Sequence, residues 1–170
     1  MTRASLGGMT AIYKSEAGGR ELRERYLREL AAWPVPAEHV RVPTREGETF
    51  VLVSGPRDAP PLVLLHGSGA NASMWRGDVA TWSRHFRVYA VDLVGEPGLS
   101  APSRPALGSG AVAAWLDDVL DGLGLTGAAF AGTSLGGWTA CRGVAGCASR
   151  RWRSPGWTRS GTGRRSTRSS

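Results

Sequence analysis

Leu62-Val63-Leu64-Leu65 is apolar at four consecutive positions, and a strand with apolar side chains on both faces needs cover on both faces. That requirement selects a sheet lying between layers of helices, and the flanking sequence supplies the parts. Phe86–Asp92 and Ala128–Ala131 are two more short apolar runs. Residues 72–84, with Met74, Val79, Ala80 and Trp82, read as a helix. So do Val112–Leu123, where Val112, Trp115, Leu116, Val119, Leu120 and Leu123 share one face and Asp117, Asp118 and Asp121 the other. Strands alternating with helices of this length predict an α/β fold with a mostly parallel sheet. Upstream, Glu38–Val42 and Glu48–Val53 alternate enough to form two strands joined by a turn over 43–47, which suits the antiparallel edge of a mixed sheet. Leu22, Tyr26, Leu30 and Trp33 recur at helical spacing over 18–33, and Pro34 ends that run. The stripe could dock on a partner, but an apolar stripe usually faces its own core.

Composition sets the limits. At 170 residues with 41% hydrophobic residues the chain fits one domain, and no apolar run approaches the roughly 18 residues of a membrane span. Met1 to Gly8 carries one charge and no sustained apolar stretch, so no secretory signal is visible and the cytoplasm is the expected location. The net charge of +7 is unevenly placed: residues 1–141 hold 13 basic and 14 acidic side chains, whereas 142–170 hold eight Arg and no acid. From Cys141 onward the chain is almost entirely Arg, Ser, Gly, Ala, Trp and Thr. Such a segment buries too little apolar surface to offset the entropy of ordering, which predicts disorder over 148–170. Cys141 and Cys147 lie six apart, which fits neither a redox pair nor a zinc site; they read as incidental thiols, with no metal and no cofactor implied.

Three glycine-rich turns follow the apolar strands. His66-Gly67-Ser68-Gly69 ends the first, Asp92 with Gly95, Gly98 and Ser100 ends the second, and Gly132-Thr133-Ser134-Leu135-Gly136 ends the third. Gly-x-Ser-x-Gly between a short strand and a helix-compatible run is the setting that lifts a serine onto a tight elbow, and flanking glycines leave room for it. Alone, Ser134 could equally be a helix N-cap. With all three blocks in order, the chain resembles the α/β-hydrolase superfamily, particularly its small bacterial carboxylesterase-like members, over about residues 38–140. One extra residue between Gly95 and Gly98 departs from the pattern. The resemblance implies a serine hydrolase acting on a small acyl substrate such as an ester, with Ser134 as nucleophile. The backbone N–H groups of Leu135 and Ser68 would face the oxyanion, with Gly69 as the alternative to Ser68. His66 would support the oxyanion loop together with Gly67 and Gly69.

The same resemblance places an acid and then a histidine after the serine. Here the histidines are His39, His66 and His85, and the last acid is Asp121. A serine hydroxyl needs a base to take its proton, and in subtilisin loss of the His alone costs about 10⁶ in turnover. Little or no activity is therefore expected of the 170 residues as written. The expected organisation is an N-terminal segment, 1–37, with the amphipathic helix, an incomplete α/β-hydrolase domain, 38–141, and a basic tail, 142–170. Two origins suit that tail: an out-of-frame reading of a GC-rich gene, or a nucleic-acid contact through Arg150, Arg151, Arg153, Arg164 and Arg165 with Trp152 and Trp157 stacking on bases. A basic tail without a folded reader is weak support for nucleic acid. A non-catalytic scaffold is a third reading, and the oligomeric state is not legible.

Overall fold

The computed structural model describes residues 12–146. In chain order the elements are α1 (Glu16–Ala31), β1 (Ala37–Thr44), β2 (Gly47–Ser54), β3 (Pro61–Leu65), a 3₁₀ segment (Ala72–Gly77), the one-turn α2 (Val79–Trp82), β4 (Arg87–Val91), α3 (Ala111–Gly122), β5 (Ala129–Gly132) and α4 (Leu135–Gly146). Cys147, the basic side chains from Arg150 onward and the disorder expected over 148–170 lie outside the described residues.

The strands form one mixed sheet in the order β1-β2-β4-β3-β5. The β1–β2 hairpin joins the sheet antiparallel to β4, and β3 runs parallel to both β4 and β5. Period-2 alternation sorts the apolar side chains into two layers. Val51, Val53, Val63, Leu65 and Val91 meet Trp115, Leu116, Val119 and Leu120 of α3 on one face. Phe50, Leu52, Leu62, Leu64, Val88 and Ala90 meet Tyr26 and Leu30 of α1 and Trp75 and Val79 on the other. Each fully buried Val, Leu or Phe contributes about 1.5–3 kcal/mol, so these two layers are the main source of stability. The α/β architecture read from the sequence, with helices on both faces, is the one observed.

Particular elements differ from expectation. α1 does dock on its own sheet, but Leu22 is 49% exposed. Gly19 takes its place, buried where any Cβ would strike the Tyr13 ring at 2.8 Å. Trp33 lies beyond the helix end and donates from Nε1 to Ser54 Oγ at 3.1 Å. The helix expected over 72–84 is two pieces. Its start is tied into i→i+3 bonding by Asn71, whose side chain accepts the Ser73 N–H and whose carbonyl accepts the Met74 N–H. Gly77, a weak helix former, ends that segment, and Asp78 links it to α2. α4 runs past Ala140 to Gly146 and so crosses the boundary drawn at 141/142; Gly143 sits where a Cβ would meet the Leu116 side chain at 2.5 Å.

The N-terminal helix is also bonded to the heart of the sheet. The Tyr26 hydroxyl donates to the fully buried Asp92 carboxylate at 2.9 Å. A hydrogen bond to a charged group contributes about 1.5–3 kcal/mol. Tyr26→Phe, which keeps the ring, is therefore expected to lower the unfolding free energy by that amount in urea titration, with an unchanged slope. A change under about 0.5 kcal/mol would show that Asp92 does not depend on α1.

Candidate active site

The three parallel strands end side by side, in the position where sheets of this type bind ligands. β3 delivers His66–Gly69, β4 delivers Asp92–Ser100, and β5 delivers Thr133–Gly136. At the last of these, the Thr133 N–H donates to the Leu65 carbonyl at 3.1 Å and extends the β3–β5 ladder one step past Gly132. The chain then reverses through Ser134, the one non-glycine residue with positive φ (52°) among the described residues. Such a backbone costs on the order of 1–3 kcal/mol and is tolerated only where its surroundings impose it. Here they do: a Cβ on Gly132 would lie 2.6 Å from the Gly136 backbone, and one on Gly136 would lie 2.0 Å from the Leu65 carbonyl oxygen. Only glycine lets α4 begin this close to β3. The result is an exposed Ser134 at the start of α4.

The neighbouring loop is built around His66, which is fully buried. The Leu93 N–H donates to Nε2 at 2.9 Å, so the proton resides on Nδ1, which is 2.8 Å from the Gly67 carbonyl and donates to it. Both ring nitrogens are thus engaged by backbone, and neither is available to the Ser134 hydroxyl. Burial, the largest influence, lowers the pKa of His66 and keeps it neutral. Gly67 lies against Ser134, 3.8 Å separating a notional Cβ from the serine Cβ. Ser68 and Gly69 are exposed at the loop tip. Neither the Ser68 nor the Leu135 N–H has a hydrogen-bond acceptor among the described residues, whereas the Gly69 N–H donates to the Glu96 carboxylate at 2.5 Å.

Asp92 anchors the second turn. Its carboxylate accepts from Tyr26 Oη, the Ala72 N–H and the Leu99 N–H, at 2.9, 2.8 and 2.7 Å. The Ser100 hydroxyl donates to the Asp92 carbonyl and accepts the Phe50 N–H, closing the turn onto β2. Burial pushes the Asp92 pKa up, and the three donors oppose that shift. All its hydrogen-bonding capacity is directed inward, away from Ser134, so Asp92 serves as a structural hydrogen-bond acceptor. A cavity of about 540 Å³ opens beside the three turns. Leu93, Val112, Trp115 and Leu135 give it apolar wall, and Ser68, Glu96 and Arg104 are polar side chains of its lining. The other two histidines are elsewhere. His39 is exposed on β1, edge-on to Phe50. His85 is exposed just before β4, about 15 Å of strand away from the ends that carry the site. Cys141 is exposed and unpaired, and no cluster of three metal-ligating side chains occurs among the described residues.

Comparison with known proteins decides the family. Residues 62–167 match the alpha/beta hydrolase family. The chain belongs to that family. The chain is 44% identical over 119 residues to the carboxylesterase YbfK of Bacillus subtilis, covering 70% of the chain and 40% of that relative. It is 43% identical over 128 residues to the B. subtilis carboxylesterase nap, covering 75% of the chain and 43% of the relative. Its fold superposes on the crystal structure of carboxylesterase CesB (YbfK) with a TM-score of 0.73 at 39% identity, over 81% of this chain and 48% of that one. The B. subtilis naproxen esterase structure gives 0.71 at 37% identity, over 80% and 47%. The chain thus spans less than half the length of these relatives. Its family match continues to residue 167, through the Arg-rich segment.

Two groups in this site are not legible in the sequence as parts of it. The Tyr26 hydroxyl lies 66 residues from its partner Asp92, and helical spacing reports its ring as core but says nothing of its oxygen. Glu96 does leave a trace: it falls in the one-residue expansion between Gly95 and Gly98.

The buried neutral His66 has a pH consequence. The unfolded chain, with an ordinary His pKa of about 6.5, binds more protons below that pH than the folded chain, so stability is intact above about 6.5 and declines as pH falls toward the lowered folded value. Asp92 acts in the opposite sense, since its raised pKa favours the folded state as pH falls. The His66 contribution to the urea midpoint is therefore expected to decrease from pH 7.5 to 5.5. His66→Asn is expected to be less stable than the wild type at pH 7.5, and the difference between the two to shrink as pH falls to 5.5, since the Asp92 contribution is common to both; a difference that stays constant with pH would show that His66 is not the group responsible.

Proposed function

We propose that the chain carries the nucleophile and oxyanion site of an ester hydrolase acting on small acyl substrates. The observation that carries this reading is the left-handed Ser134 at the β5–α4 turn, beside two backbone donors with no acceptor of their own among the described residues. In the proposed reaction Ser134 Oγ attacks the ester carbonyl carbon, a base takes the hydroxyl proton, and the carbonyl oxygen becomes an anion held by the Leu135 and Ser68 N–H groups. Collapse expels the alcohol, which takes up that proton, and water then releases the acid from the acyl-serine. Each oxyanion donor is worth about 10²–10³ in rate. His66, with Gly67, holds the donor loop. Support comes also from the relatives, which are described as carboxylesterases.

The proposal covers one half of the chemistry. No histidine among the described residues offers a free ring nitrogen to Ser134, and Asp92 faces inward. We therefore assign the 170 residues little or no turnover on their own.

Treatment with a fluorophosphonate, followed by peptide mass spectrometry, tests both halves. The expected result is slow modification confined to Ser134, absent from Ser134→Ala and accelerated by added imidazole acting as an external base. Adducts spread over other serines, and unchanged in Ser134→Ala, would contradict the nucleophile. Rapid labelling without imidazole would contradict the missing base.

A further inference from the structure

Glu96 stands where neither the fold nor the proposed reaction requires an acid. Its carboxylate accepts the Gly69 N–H at 2.5 Å and faces the Ser68 hydroxyl at 3.4 Å. Both ends of this contact are fixed. Gly69 has φ +73° with open space around it, so glycine is needed there for the backbone conformation that aims the N–H, not for room. On the other side, Gly95 has φ +74° and packs where a Cβ would meet the Ser103 carbonyl oxygen at 2.5 Å. The Glu96 N–H bonds to the Leu93 carbonyl and its carbonyl accepts the Gly98 N–H. The Asn71 side-chain amide donates to the Pro97 carbonyl at 2.9 Å, joining this turn to the donor loop.

We propose that Glu96 is a positioning residue of the oxyanion site, resting on the ester-hydrolase reading above: its carboxylate clamps the Gly69 N–H, leaves the Ser68 N–H to the substrate, and by its charge keeps carboxylates off these donors. The clamp resolves the choice between Ser68 and Gly69 as donor, because a Gly69 N–H already bonded to a carboxylate is not free for an oxyanion. The charge bears on what occupies the site. An ester is neutral and its acid product is an anion, so a fixed carboxylate beside the donors disfavours retention of the product; the same charge opposes the oxyanion on the Ser68 N–H, so Glu96 trades part of the transition-state stabilisation for product release. Arg104 is the cation of the same cavity, with Nε engaged by the Gly95 carbonyl at 3.3 Å.

Two readouts test this without requiring Ser134 to react. In amide hydrogen exchange followed by NMR, Glu96→Ala is expected to speed Gly69 exchange about tenfold, the equivalent of one lost hydrogen bond, while Glu96→Gln, which keeps an acceptor oxygen, restores most of the protection. Equal Gly69 exchange in all three proteins overturns the clamp. In ligand titrations the wild type is expected to favour hexanamide over hexanoate, and Glu96→Gln to shift that ratio toward hexanoate by about tenfold. No shift in the ratio, absence of binding by both ligands, or a ratio set by Arg104→Ala and not by Glu96→Gln overturns the charge role. Failure of the ester-hydrolase reading would look different: no Ser134 adduct, with both Glu96 readouts intact.

Discussion

The Leu65 carbonyl is the point on which the site is built. It accepts the Thr133 N–H at 3.1 Å, and the first turn of α4 presses against it so closely that Gly136 has no room for a Cβ. A strand that must turn into a helix within three residues, while touching its neighbour's last carbonyl, has few backbone solutions. Left-handed Ser134 is the one found. The strain of that residue is thus a consequence of the β3–β5 register, in which Leu65 pairs with Gly132, and of two glycines that remove the steric alternative. The same register brings Ser134 beside Gly67, so the positions of Ser134 and of the His66–Gly69 loop are set by one contact.

Two buried polar residues keep the loops from relaxing away from that contact. His66 uses both ring nitrogens on backbone groups of β3 and β4 ends, and Asp92 gathers donors from α1, the 3₁₀ segment and its own turn. Each would be costly to bury alone. Each is fully hydrogen-bonded, and the cost becomes a penalty against any arrangement that breaks the set. α1 is part of this device through Tyr26 and not a separable N-terminal segment.

How far the sequence carries follows from the range of each signal. The strands 62–65, 86–92 and 128–131 and the three glycine turns were legible because period and turn chemistry are local. The hairpin 38–53 and α3 were legible for the same reason. The break in 72–84 depends on Asn71 and Gly77, single residues within an otherwise helical pattern. The exchange of Leu22 for Gly19 on the buried face of α1 depends on the Tyr13 ring, which periodicity does not report. Among candidate site residues, Ser134, Leu135, Ser68, Gly69, Gly67 and His66 do converge at the strand ends. Glu96 and Tyr26 join them through contacts 27 and 66 residues apart in sequence, which no local pattern encodes.

We propose that these residues present Ser134 without activating it. The pH dependence of Ser134 modification tests this most directly. With no base in contact, reaction proceeds through the small fraction of ionised serine, and its rate should climb about tenfold per pH unit from roughly pH 6 to 9 with no plateau. A sigmoidal profile levelling off above an inflection near pH 6.5–7 would contradict the account, because it would reveal a titrating base beside Ser134.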